Sequence, residues 1–251
     1  MPEKGNLLSK CLRVSVGLEK WRLVMVETIC GLEITIDKKQ ICRRLGYSNS
    51  DEPRASISAS IEETIEESNR LIEPSCTYQI MDVQHIRRPR VTLENGTKMT
   101  VTSDVLSWVL YPCEQAAIFV CSIGTKAEER VAELTEEGYL VKAMTLDAVG
   151  SEAVEQLAGR FQDEVQRIAN KAEAEITRRY SPGYCDWDIR QQKLIFKNLD
   201  AGLAGVSLSN ECLMKPRKSI SGIIGIGWAE RRRLRASPCQ FCSNQDCNNR
   251  R

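Results

Sequence analysis

The spacing of apolar positions changes several times along the chain, and each change marks an element. Ile57, Ile61, Ile65 and Leu71 stand near helical spacing with glutamates between them, which predicts a helix over Ser56–Leu71. Cys76 to Val83 alternates as a strand, and Arg90 to Val101 reads as a hairpin. Asn95-Gly96 suits the two positive-φ positions of a type I′ turn there. Residues 103–109 read as a short helix or turn. Ala116 to Ile123 is continuously apolar, the mark of a strand buried on both faces, and Gly124-Thr125 leads from it into a helix over 126–137. The longest element expected is a helix from Asp147 to Arg178, with a seam running through Val154, Leu157, Phe161, Val165, Ile168, Ala172 and Ile176. Pro182-Gly183 stops that run. An amphipathic helix over Asp188–Leu199 and strands at 206–208 and 219–226 follow. Near the start, Leu12–Ile29 is helix-like. A short strand at Glu33–Ile36 runs into Asp37, an N-cap for a helix that closes at Gly46.

The expected fold class is α+β: one domain over 31–228, an N-terminal extension over 1–30, and a basic, cysteine-containing tail over 229–251. At 251 residues the chain is long enough for one sizeable core. Lys+Arg (35) nearly balance Asp+Glu (34), which argues against generic nucleic-acid binding. The basic cluster Arg231-Arg-Arg-Leu-Arg235 reads as a solvated charge run or a local docking patch. No apolar run approaches the ~20 residues of a membrane span. The flanks of Leu23-Val-Met-Val26 do not lay out a signal peptide, so a cytoplasmic protein is expected. Most of the 11 cysteines stand singly in apolar contexts, as small hydrophobes of a reducing compartment. His85 is the only histidine, and no Asp-x-His-x-x-Gly corrinoid-binding loop is present.

Candidate chemistry concentrates in two segments. In Arg179-Tyr-Ser-Pro-Gly-Tyr184 a guanidinium can grip a carboxylate, the glycine lets backbone approach a ligand, and Tyr184 can stack on a base or bond a ribose. The same residues also make an ordinary helix ending. In Ser219-Ile-Ser-Gly-Ile-Ile-Gly-Ile-Gly227 the repeated glycines predict close approach of another backbone or a ligand, or else a bend. Their spacing is not a dinucleotide-binding fingerprint. Cys239-x-x-Cys242-x4-Cys247 offers three ligands for a metal or an iron–sulfur cluster, and His85, Cys185 or Cys212 would have to complete the set. Asp186 and Asp188 flank Trp187, either sharing a strand face or serving as first-turn carboxylates of the next helix.

Together these segments resemble the activation domain of cobalamin (vitamin B12)-dependent methionine synthase, here in a stand-alone form. Arg179, Pro182, Gly183 and Tyr184 match that family's Arg-Pro-Ala-Pro-Gly-Tyr motif, and Met214-x-Pro-x-x-Ser-x-Ser-Gly222 matches its later Met-x-Pro-x-x-Ser-Val-Ser-Gly. The resemblance covers about 147–226 well and 31–146 weakly. It implies a single C-shaped domain with a twisted antiparallel sheet and flanking helices. It also implies a site for S-adenosylmethionine, with Arg179 on the ligand carboxylate and Tyr180, Ser181, Pro182, Gly183 and Tyr184 as further contacts. Ser221 and Gly222 belong to the second motif. The family's helix glutamate falls at Gly159, with Glu155 one turn earlier as its substitute. The family's Pro-x-Cys-Pro-x-His after the tyrosine is replaced by Cys185-Asp-Trp-Asp-Ile, and its later aromatic falls near Arg232, with Trp228 close by.

The activity so implied is reductive remethylation: S-adenosylmethionine and an electron donor such as flavodoxin or ferredoxin restore the cobalamin of a corrinoid-binding partner or a methionine synthase core. Neither a nucleic acid nor a membrane is an expected partner. Two other readings stand beside it: an iron–sulfur reductive activator built on Cys239, Cys242 and Cys247, and a non-catalytic docking module for corrinoid proteins.

Overall fold

The protein is seen in a computed structural model that describes residues 17–19, 22–24, 26–48, 51–228, 234, 237–243 and 246. Three short strands, β1 (Gly17–Glu19), β2 (Arg22–Val24) and β3 (Val26–Cys30), precede helices α1 (Lys38–Arg44) and α2 (Ala55–Ser68). Next come β4 (Ser75–Arg87), β5 (Arg90–Asn95), β6 (Thr97–Thr102), α3 (Asp104–Leu110) and β7 (Gln115–Ser122). Helices α4 (Lys126–Glu136) and α5 (Leu140–Asn170) lead to β8 (Glu175–Ile176), α6 (Gln192–Asn198), β9 (Ser207–Leu208), β10 (Met214–Lys215) and β11 (Ser219–Gly227).

The main sheet is an antiparallel half-barrel in the order β6-β5-β4-β7-β11-β8, and β3 pairs with the first half of β4. Every residue of β7 is buried because both faces of the sheet are covered. Ala116, Ile118 and Val120 point into a core shared with α3 and α6, while Ala117, Phe119 and Cys121 point into a second core against α5. That two-sided burial is what the uninterrupted apolar run at 116–123 reflects. On the α5 side Phe161 lies 4.9 Å from the Phe119 ring and 5.3 Å from the Tyr78 ring. Each such fully buried large side chain contributes about 1.5–3 kcal/mol.

Several sequence expectations are corrected. The Leu12–Ile29 helix is not formed: 17–19, 22–24 and 26–30 are strands, and the remainder lies outside the described residues. β3 takes its place beside Ser75–Gln79 because that edge of β4 is open to pairing. Glu33–Ile36 pairs with no strand, although Leu32, Ile34 and Ile36 do turn alternately into the α5-side core. Asp37 caps α1 as expected, its side chain accepting from the Lys39 N–H. At the hairpin only Gly96 takes a positive φ (69°), so the turn is not type I′, and the Asn95 amide donates instead to the Ile80 carbonyl at 2.9 Å.

The most consequential difference concerns the long helix, which starts seven residues earlier than expected, at Leu140, and ends at Asn170. Glu173, at φ 56°, turns the chain, and residues 175–176 then pair with Ile226 and Gly227 of β11. Ala172 and Ile176 are buried as the seam requires, but beyond the helix end. The segment after them is thus extended, and Pro182-Gly183 does not stop a helix. Asp188–Leu199 forms as a single 3-10 turn (Ile189–Gln191) running into α6.

Candidate functional site

The extended segment 177–180 lies along the outer edge of β11. Thr177 N–H donates to the Gly225 carbonyl (2.9 Å), and the Gly225 N–H donates back to the Thr177 hydroxyl (2.8 Å). Tyr180 and Ile223 exchange both backbone bonds, at 2.9 and 2.8 Å. Glycine makes this approach possible. A Cβ on Gly222 would stand 2.8 Å from the Tyr180 carbonyl oxygen and 3.0 Å from the Phe119 ring, and one on Gly225 would stand 2.5 Å from the Cys113 sulfur. The glycine repeat therefore serves close packing of backbone and core side chains, one of the readings its sequence allowed.

Residues 181–187 fold into a loop closed by the Gly183 N–H donating to the Trp187 carbonyl (2.7 Å), with Gly183 at φ 94°. The Tyr180 ring is buried, stacks on Trp187 at 5.6 Å, and donates its hydroxyl to the Tyr184 carbonyl (2.9 Å). Burial pushes its phenol well above the usual range. Asp186 and Asp188 take different roles. Asp186 caps α3 from across the fold, accepting from the Ser103 hydroxyl (2.6 Å) and the Asp104 N–H (2.5 Å). Asp188 caps the following 3-10 turn, and its hydrogen bonds from Arg190 lower its carboxyl to about 2.

Between this loop, α5 and β11 lies a cavity of about 460 Å3. Arg179, Tyr180, Ser181, Pro182 and Tyr184 line it, and so do Glu155 from α5 and Ser221 from β11. Gly183 and Gly222 do not line it; they shape the backbone that does. Arg179 forms an ion pair with Glu155, and its backbone N–H donates to the Gln162 side chain at 3.2 Å. Both ionic side chains stay partly accessible, 29% and 43%, so the pair itself adds little stability. It presents a cation beside an anion at a cavity wall. Gly159, where the resemblance places the family's glutamate, meets nothing on its open side, and Glu155 is the carboxylate that meets Arg179.

Sequence reasoning missed three parts of the wall. Arg178 also lines the cavity, exposed and without an ion-pair partner among the described residues. Gln192, the first residue of α6, lines it while 2% exposed, and its Nε2 has no hydrogen-bond partner among the described residues. Ser237, Pro238 and Cys239 close one side. Phe241 holds that segment by stacking on Trp108 at 5.6 Å, and Cys242 and Leu234 are buried in the core shared with α3. No local signal marks such packing, because it depends on where α3 sits.

Of the expected metal ligands, Cys239 borders the cavity, Cys242 is buried beside it, and Cys247 lies outside the described residues. Cys185 lines the cavity while remaining exposed overall, and its thiol is pushed up to about 11, first by partial burial of the sulfur and then by the neighbouring Cys242. Among the described residues no three potential ligands come together to hold a metal ion.

No helix among the described residues is long and apolar enough to cross a membrane. No protein-family model matches the sequence, and no curated protein matches it either. Among solved structures, a crystal structure of the MetH reactivation domain bound to AdoHcy superposes with a TM-score of 0.64 at 11% identity. The match covers 80% of this chain and 78% of that one. The chain has the fold of the MetH reactivation domain: a curled antiparallel sheet with flanking helices.

Proposed function

We propose that this protein binds S-adenosylmethionine and serves as the activation module of a cobalamin-dependent methionine synthase, or of a related corrinoid methyltransferase, acting on cobalamin carried by a partner. One observation carries this reading. Glu155, the stretch holding Arg179, Ser181, Pro182 and Tyr184, and Ser221 are three separate places in the sequence, and they converge on one cavity. Its volume of about 460 Å3 falls within the usual range for small-molecule sites, about 300–1,000 Å3.

The charge arrangement suits a zwitterionic amino acid. The guanidinium groups of Arg179 and Arg178 take the carboxylate, and Glu155 takes the ammonium. Tyr184, 56% exposed at the mouth, offers a ring face to the nucleoside. Methyl transfer from a sulfonium asks the protein to hold and orient the donor, and no acid–base pair is required. The partner's corrinoid supplies the cobalt that accepts the methyl group, and a flavodoxin or ferredoxin supplies the electron.

Calorimetric titration of the full chain with S-adenosylmethionine and S-adenosylhomocysteine tests the binding step. Saturable binding that Arg179→Ala weakens is the expected result, and no saturable heat at millimolar ligand overturns the proposal. Anaerobic incubation with a corrinoid protein and a reductant then reads the activity as S-adenosylmethionine-dependent formation of methylcobalamin.

A further inference from the structure

Gln192 occupies a position where the pattern of α6 calls for an apolar residue. It stands one turn before Ile195, which is fully buried, and Gln192 itself is 2% exposed. Buried side-chain amides are normally satisfied by protein partners. Here no described residue bonds the carboxamide, and its Nε2 is one of four buried side-chain polar atoms without a hydrogen-bond partner among the described residues. The side chain belongs to the wall of the same cavity that holds Arg179 and Glu155. A polar group that weakens the fold where it sits, on the wall of a ligand-sized cavity, points to a ligand that satisfies it.

The chemistry of the group narrows that ligand. A carboxamide presents one donor and one acceptor side by side. A carboxylate would engage only the donor end and would repel the oxygen, while an ammonium would use only the acceptor end. Both charged groups already have better counterparts in Arg178, Arg179 and Glu155. Adenine offers the complementary pattern along its N7 edge, the N6 amino donor beside the N7 acceptor, which a glutamine meets with two parallel hydrogen bonds, whereas a 6-oxo purine shows two acceptors there. The origin of the side chains agrees: the ionic groups come from α5 and residues 178–179, whereas Gln192 and Ile189 come from the start of α6 and the turn before it.

We propose that Gln192 is the base-reading residue of the cavity, selecting adenine over purines that lack a 6-amino group. The inference rests on the S-adenosyl reading above and adds a specificity that reading does not contain. The probes are S-adenosylhomocysteine and S-inosylhomocysteine, in which a 6-oxo group replaces the amino group. Both are titrated calorimetrically into the full chain and into the Gln192→Leu and Gln192→Met variants.

The wild-type chain prefers the adenine compound by about tenfold or more, the range of one bidentate contact to a base. Gln192→Leu lowers the preference to less than about threefold, and its melting temperature does not fall, because an unpaired buried amide has been removed. Gln192→Met, close to isosteric but with neither hydrogen-bonding end, loses the preference as well and keeps the test open if the leucine variant misfolds. Equal wild-type affinity for the two compounds overturns the inference, as does a folded variant that keeps the wild-type ratio. Absence of saturable binding of either compound to the wild-type chain overturns the S-adenosyl reading itself, a result distinct from bound but unselective ligand.

Discussion

Phe161 and Gln192 are both buried and both sit on helices, yet they meet opposite surroundings. Phe161 packs between the rings of Tyr78 and Phe119 in a core where α5 closes over the sheet. Gln192 faces a cavity and finds no polar partner. The same contrast divides the larger regions around them. The α5, β7 and β11 side is regular structure with apolar residues at the expected period. The side made by 177–192 and 237–239 is mostly turns, an extended edge and two short helical pieces. The first region holds the fold together, and the second gives up regularity and presents polar groups to a cavity.

The sharpest way to break this contrast is to open the scaffold. Phe161→Ala is expected to destabilise the protein by about 3–5 kcal/mol, read from urea unfolding, because a rigid aromatic site collapses poorly. A loss under about 1 kcal/mol would mean that this side is as loosely packed as the cavity wall. Gly222→Ala tests the seam between the two regions. Its Cβ, 2.8 Å from the Tyr180 carbonyl oxygen, forces backbone apart, with a loss of about 1–3 kcal/mol and weaker ligand binding together.

Arg179→Ala separates the regions in the other direction. S-adenosylhomocysteine binding falls by about tenfold or more as a charged hydrogen bond is lost. The melting temperature hardly moves, because the Arg179–Glu155 pair is partly exposed. Phe241→Ala removes the stacking on Trp108 and costs about 0.5–1.5 kcal/mol, with faster proteolysis after residue 236 as the local readout.

The smallest effect expected is one of pH. Cys185 has its thiol raised to about 11 in the folded chain, so the folded state holds that proton more tightly than the unfolded one. Its contribution is present below the unfolded thiol value, ~8.5, and is lost as pH rises through about 11. Alkylation of Cys185 by iodoacetamide is accordingly slow at pH 8 and climbs toward pH 11. Fast labelling at pH 8 would show that the thiol is not raised.

Legibility in the sequence follows the same division. The run at 116–123, the seam through Val154, Leu157, Phe161 and Val165, and the glycine-rich strand were readable because burial on a regular element imposes a period. The motif residues Arg179, Tyr180, Ser181, Pro182 and Tyr184, with Glu155 and Ser221, also meet at one place. What periodicity hides is the path between elements. The apolar pattern continues past Asn170 through Ala172 and Ile176, so nothing local separates a helix that persists from a chain that turns and pairs with β11. Gln192 escaped notice for a related reason: a glutamine at the start of an amphipathic helix reads as solvated until the cavity beside it is known. The tail wall depends on Phe241 finding Trp108, a contact between distant segments that no spacing announces.

The glycines of β11 bear on how such a site can drift over evolutionary time. With no side chains between β11 and the Tyr180 backbone, main-chain contact and not side-chain volume sets the distance from sheet to cavity wall. Substitutions elsewhere on the wall can then accumulate without changing the width of the site. A shape held in that way outlasts most of its own sequence, in keeping with a shared fold at 11% identity.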